Sequence, residues 1–320
     1  MSMHFPPALR LVRIGNILFI AIFQILLRYC VIMPILENQG IEPALSLSRF
    51  ILLVIATTTL AASGNVINDY FDVSADRINR PEKVIVGQTI NRRTVLLTHV
   101  ILTLIGMFTG LFLAFVFRKE SYALLFIVVP VILWFYSTTL KKQMLIGNLT
   151  VALLIALSAY LVVSMEFTAL VRRLGASVVD SQACSMAWFY TSGFAFFALI
   201  TNLAREIIKD MEDIQGDRAC GCHTLPIDMG IGYSKTIVVI LEIMTIIAIW
   251  AAYLFSTRLS NVPYIEAYLA LLLTVPTIAI CFLVVRAQES RQFHRASLLS
   301  KIVMLAGMLL ALYIYLLKFY

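Results

Sequence analysis

NVINDYFDVSADRINRPEK, residues 65–83, follows directly on an apolar run from Phe50 to Ala62. A membrane-crossing segment therefore delivers this stretch to the bilayer surface. On a helix turning about 100° per residue, Asn65, Asn68, Asp69, Asp72 and Asp76 fall within roughly a third of the circumference. Three carboxylates and two amides face one way. Such a cluster repels itself unless a cation stands before it, and an oxygen-only donor set suits a hard divalent ion such as Mg2+. An acid beside the membrane interior is costly, so it marks a working site.

The pattern returns 141 residues later in EIIKDMEDIQGD, residues 206–217. Glu206, Lys209, Asp210, Asp213 and Asp217 repeat the spacing of Asn65, Asn68, Asp69, Asp72 and Asp76 position by position. Both copies end an apolar segment and both hold an Asp-x-x-x-Asp core. One acidic helix end is common at a solvated surface, but two in register, in a chain with only 18 acidic residues, point to paired halves of one site.

Composition sets the class. The chain is 61% hydrophobic and 13% charged, whereas soluble domains carry about 25% charge. It reads as an integral membrane protein, with nine apolar runs of sufficient length at roughly 14–36, 47–67, 94–117, 121–139, 144–165, 185–207, 235–256, 264–285 and 299–318. The net charge of +7 does not indicate nucleic acid, because the basic residues are scattered between apolar runs. Sorted by connection, seventeen Lys and Arg fall on the side of the amino terminus and eight on the other. That asymmetry predicts a multi-pass protein of the cell (inner) membrane with the amino terminus and both acidic motifs facing the cytoplasm. The segment from Glu166 to Ser181 is expected to be the one sizeable external connection. No linker interrupts the chain, and it reads as a single domain over residues 1–320.

Five cysteines, an odd number lying in or near apolar runs, imply no disulfide framework. Cys220-x-Cys222-His223 lacks a second pair at zinc spacing.

Opposed acidic helix ends charged with Mg2+ can hold a diphosphate and neutralise the charge that builds as it leaves. Arg80, Lys83 and Lys141 are candidates to complete the cradle, with Asn65 and Lys209 beside them. Pro81 favours a turn just after Arg80. The nine spans offer a place for a polyisoprenyl tail, and ionising an allylic diphosphate leaves a carbocation that an aromatic face can stabilise. Tyr136, near Lys141, is the aromatic candidate.

These residues resemble the UbiA superfamily of intramembrane prenyltransferases. Its first signature is matched by Asn68, Asp69, Asp72, Asp76, Arg80 and Pro81, and its second by Asp213, Asp217, Gly221, Thr224 and Leu225. Tyr136, Lys141, Gly147 and Asn148 look like the family's central segment. The resemblance covers residues 8–320. It implies an all-α bundle of nine transmembrane helices and Mg2+-dependent transfer of a prenyl group from a diphosphate donor. It also implies metal binding by Asn68, Asp69, Asp72, Asp76, Asp210, Asp213 and Asp217, with Asp72, Asp76, Asp213 and Asp217 catalytic. The wording from Arg205 to Asp217 looks most like the branch that joins geranylgeranyl diphosphate to geranylgeranylglyceryl phosphate. Prenylation of an aromatic acceptor, of the 4-hydroxybenzoate, dihydroxynaphthoate or homogentisate type, shares the same metal chemistry and stays open.

A cation-coupled transporter needs acids deep within broken spans. Here only Glu166 and Glu242 come near the interior. The Asp-Gly and Ala-Arg spacing of CDP-alcohol phosphotransferases is absent.

Overall fold

The computed structural model describes residues 6–318, and the side chains of all of these except Lys83, Thr257, Arg258 and Lys318. Its described residues form an all-α protein with nine helices long and apolar enough to cross a membrane. These are α1 (Ile14–Glu37), α2 (Leu47–Asn79), α3 (Arg92–Phe117), α4 (Glu120–Thr138), α5 (Ile146–Leu174), α6 (Gln182–Glu212), α7 (Ile231–Phe255), α8 (Ile265–Arg286) and α9 (Ser290–Leu317).

The helices fall into two compact units. The first contains the start of α1, all of α2, α3 and α4, and the segment Gln215–Cys222. The second runs from Phe23 through the rest of α1 and takes in α5 to α9.

Lipid gives helices no hydrophobic reason to associate, so close packing has to come from small residues. In the first unit three glycines supply it. A Cβ on Gly64 would lie 2.9 Å from Leu133, one on Gly106 would lie 2.7 Å from Leu60, and one on Gly110 would lie 2.1 Å from the Phe126 ring. Gly110→Ala must displace that ring, which is fully buried. It is expected to cost about 1–3 kcal/mol, read as a lower melting temperature in detergent. Thr57, Thr58 and Thr59 return their hydroxyls to the carbonyls of Leu53, Val54 and Ile55, so that a polar triplet sits in an apolar helix without a stranded donor.

α2 runs twelve residues beyond the apolar stretch that sequence alone assigns to it. Its last turns are amphipathic. Val66 and Val73 on one side pack with Leu11, Val84, Val86 and Val95, and the acidic residues occupy the adjoining side. The helix stops at Asn79 because the residue before a proline is driven out of the helical region. Arg80 has φ −153° and ψ 65°, and Pro81–Lys83 form a single tight turn.

In the second unit α6 packs on α5, α7 and α9. Gly307 of α9 lies flat on Phe197 of α6, a Cβ there being 2.1 Å from the ring. The Lys235 ammonium donates to Ala287 O at 2.6 Å and Val285 O at 3.0 Å, capping the end of α8. Glu166 is not in an external connection. It is wholly buried inside α5, in the field of Arg28, itself 4% exposed on a π-helical turn of α1. An ionisable side chain reads as a helix end in sequence, but inside a bundle a partner of opposite charge lets it stay in the span.

Candidate active site

The last four turns of α2 carry the first acidic motif, and the first unit builds a charged cluster on it. Lys141, from a tight turn after α4, donates to Asp72 Oδ1 at 2.5 Å and to Asn68 Oδ1 at 3.1 Å. The Asn68 amide nitrogen donates to Asp72 Oδ2 at 2.6 Å. Both oxygens of Asp72 are thus held, and Asn68, Asp72 and Lys141 form one hydrogen-bonded group.

Asp69 and Asn65 are otherwise engaged. Asp69 accepts from the Arg13 guanidinium at 2.6 Å, and Asn65 donates to Val12 O at 3.0 Å. The Asp69 carboxylate, with Asp72 and Tyr136 farther off, holds Arg13 in its charged form. Together these contacts tie the segment before α1 to the flank of the motif. Tyr136 lies close enough to Arg13 for its charge to be felt. Asp76 is half-buried one turn beyond Asp72, and its carbonyl accepts from the Arg80 N–H at 2.8 Å. The Lys83 side chain is outside the described set.

The same unit holds the end of the second motif. The helix Ile214–Ala219 closes with Gly221 at φ +69°, where Gly221 N–H donates to Arg218 O at 3.2 Å and Cys222 N–H to Asp217 O at 3.0 Å. That pair of bonds is a Schellman ending, and glycine suits its left-handed residue. Gly216 N–H donates to Asn79 Oδ1 at 2.8 Å. Burial, then the negative fields of Asp217, Cys220 and, more weakly, Asp72, push the Cys222 thiol up to about 11 against the opposing Lys142. Carboxylates from the two motifs therefore act on one side chain within one unit.

The second unit carries the rest of the second motif. Asp213 is the residue that ends α6, its N–H donating to Lys209 O at 2.8 Å. Asp210 accepts from the Asn148 amide at 2.7 Å, and Asn148 is buried in the first turn of α5. Lys209 pairs with Glu206 at 2.7 Å, and Arg205 pairs with the same carboxylate at 2.9 Å. Glu212 is drawn to α9, where His294 meets its carboxylate at 2.8 Å and Ser290 donates to its carbonyl at 2.8 Å.

Sequence reading places the acids but misses Arg13, Asn79 and Gly216. Arg13 reads as a charge that sets topology. A glycine inside an otherwise helical acidic motif is the signal that could have exposed Gly216.

Among the described residues, nine helices long and apolar enough to cross a membrane, an Asn-Asp-Lys cluster on the last turns of α2 and the Asp217 segment in the same unit define a class. Residues 35–303 match the sequence model of the UbiA prenyltransferase family, and the chain belongs to that family of intramembrane enzymes. Among its relatives are the digeranylgeranylglyceryl phosphate synthases of Methanothermobacter thermautotrophicus and Thermococcus kodakarensis. The first is 30% identical over 258 residues, covering 79% of this chain and 80% of the relative. The second is 32% identical over 257 residues, covering 80% and 82%. A solved structure concerned with digeranylgeranylglyceryl phosphate synthase in membranes shares the fold at a TM-score of 0.60 and 22% identity, covering 98% of each chain. So does a UbiA homolog from Archaeoglobus fulgidus bound to GPP and Mg2+, at a TM-score of 0.60 and 16% identity, covering 94% of this chain and 98% of that one.

Proposed function

We propose that this protein transfers a geranylgeranyl group from geranylgeranyl diphosphate to the free hydroxyl of geranylgeranylglyceryl phosphate, with Mg2+ as cofactor and the site open to the cytoplasm. The seventeen-to-eight asymmetry of basic residues supports that orientation, and the named relatives support the substrate pair. The observation that carries the chemistry is the group formed by Asn68, Asp72 and Lys141 with the Asp217 helix end lodged in the same unit.

The donor set fits Mg2+. It offers carboxylates and amide oxygens, the hard donors that suit this ion. Among the described residues no three His, Cys, Asp or Glu side chains gather into a metal cage. Mg2+ does not need one, since it binds through one or two carboxylates, waters and substrate phosphates. Asn68, Asp72, Asp76 and Asp217 are the residues assigned to it. Asp69, Asp210 and Asp213 are assigned with them on motif spacing, and Asp69 and Asp210 first serve Arg13 and Asn148. When bound, the ion neutralises charge on the departing diphosphate.

The protein's own groups do the rest. Lys141 and Arg80 are assigned to supply positive charge to the diphosphate, Lys83 and Lys209 are assigned with them on sequence position alone, and Asn65 fixes the flank of the motif through Val12. Tyr136 is assigned to the positive charge that grows on the prenyl C1 as its bond to diphosphate oxygen breaks. The acceptor oxygen then forms the new ether bond to C1. Its proton is lost, and the bonding pair departs with the diphosphate.

Membranes containing the protein are expected to convert labelled geranylgeranyl diphosphate and geranylgeranylglyceryl phosphate to a doubly prenylated phospholipid, and to stop on addition of EDTA. A product formed only from 4-hydroxybenzoate or another aromatic acceptor overturns the acceptor assignment. Diphosphate consumption insensitive to EDTA overturns the metal.

A further inference from the structure

We infer that Asn79 is a positioning residue for the metal site, and that with Gly216 it forms a clasp holding the Asp217 carboxylate against the acidic face of α2. The inference rests on the proposed Mg2+ chemistry and names what sets its geometry.

Four observations in the first unit support it. Asn79 lies seven residues after Asp72 and three after Asp76, so it shares their face of the helix. Its side-chain oxygen accepts the Gly216 N–H at 2.8 Å, across 137 residues of sequence. That N–H belongs to the first turn of the helix Ile214–Ala219, where helical N–H groups have no partner of their own. A nearby capping side chain normally meets such a group; here a separate helix meets it. The contact also demands glycine. A Cβ at position 216 would lie 2.4 Å from Asn79 Nδ2 and 2.7 Å from the Ala75 carbonyl, so the two helices touch backbone to backbone.

Asp217 is the next residue, and its own carbonyl is tied into the Schellman ending by Cys222 N–H. The residue is therefore fixed on both sides: by the clasp before it, and by the closed turn after it. The role assigned to Asn79 and Gly216 is indirect. Their work is to set the spacing between carboxylates of two motifs that are far apart in sequence, and a metal site is sensitive to that spacing in its affinity.

The test uses the full-length protein in detergent, with Mn2+ as a paramagnetic stand-in for Mg2+. Bound Mn2+ is counted by electron paramagnetic resonance in the presence of inorganic diphosphate and without acceptor. Asn79→Ala is expected to weaken Mn2+ binding about tenfold or more. It is also expected to raise the Mg2+ concentration for half-maximal transfer by a similar factor, with most of kcat restored at saturating Mg2+. Asn79→Asp keeps the accepting oxygen and is expected to retain most of the affinity. Gly216→Ala is expected to match Asn79→Ala, and it decides the matter if that variant does not fold. Wild-type Mn2+ affinity in Gly216→Ala or in folded Asn79→Ala, whatever the melting temperature, overturns the clasp. Because the metal readout needs no acceptor, a wrong acceptor would leave it intact. Failure of the wild-type protein to bind Mn2+ would overturn the Mg2+ reading itself, and the clasp with it.

Discussion

Asp72→Asn is expected to lower prenyl transfer by about 10²–10³-fold, the scale seen when one preorganised electrostatic group is removed from an active site. Asp72 is the hub of the first unit's cluster: one oxygen takes the Lys141 ammonium and the other the Asn68 amide. The asparagine variant keeps the shape of the side chain and removes its charge, so the loss is expected in kcat with a small change in melting temperature. Asp72→Ala differs in an instructive way. It strips the carboxylate partner from Lys141, whose side chain is 13% exposed and keeps only Asn68, and should destabilise the protein as well, by about 1–3 kcal/mol. Full turnover by Asp72→Asn would show that the carboxylate has no part in the reaction.

Lys141→Ala is expected to have the second-largest effect, about 10²-fold on kcat/KM. The ammonium lies between Asn68 and Asp72, on the side of α2 where the diphosphate is proposed to bind. Lys141→Arg keeps the charge but changes a compact three-donor head for a planar fork, so it is expected to recover only part of the loss. The doubly substituted Asp72→Asn, Lys141→Ala protein should be little worse than Asp72→Asn alone, because groups that act as a unit are not additive. Steady-state kinetics on the four proteins test this. Additive losses would separate the two residues into independent roles.

Much of this was legible in the chain. Nine apolar runs set nine spans because lipid demands about twenty apolar residues per helix, and few other structures produce that pattern. The acids of α2 were legible because their spacing of three and four residues puts them on one face. What stayed hidden was set by contacts between distant residues. The helical turns from Asn68 to Asn79 lie outside the apolar run. They hold their shape because Val66 and Val73 find Leu11, Val84 and Val95, a partnership that no local pattern records. Arg13 resembled any cation preceding a first span until its bond to Asp69 appeared. Glu166 read as the edge of a loop because its counter-charge lies far away in the sequence, on α1.

That last pair bears on how the molecule is made. α1 leaves the ribosome before α5, carrying Arg28 in its carboxyl-terminal half, and a lone arginine deep in a helix costs about 2.5–3.5 kcal/mol on insertion scales. Its compensating glutamate is synthesised only when the fifth helix emerges. Biogenesis is therefore expected to hold the first helix beside the insertion machinery, as a hairpin waiting for its counter-ion, and truncated nascent chains ending before Glu166 should crosslink to that machinery more strongly than longer ones.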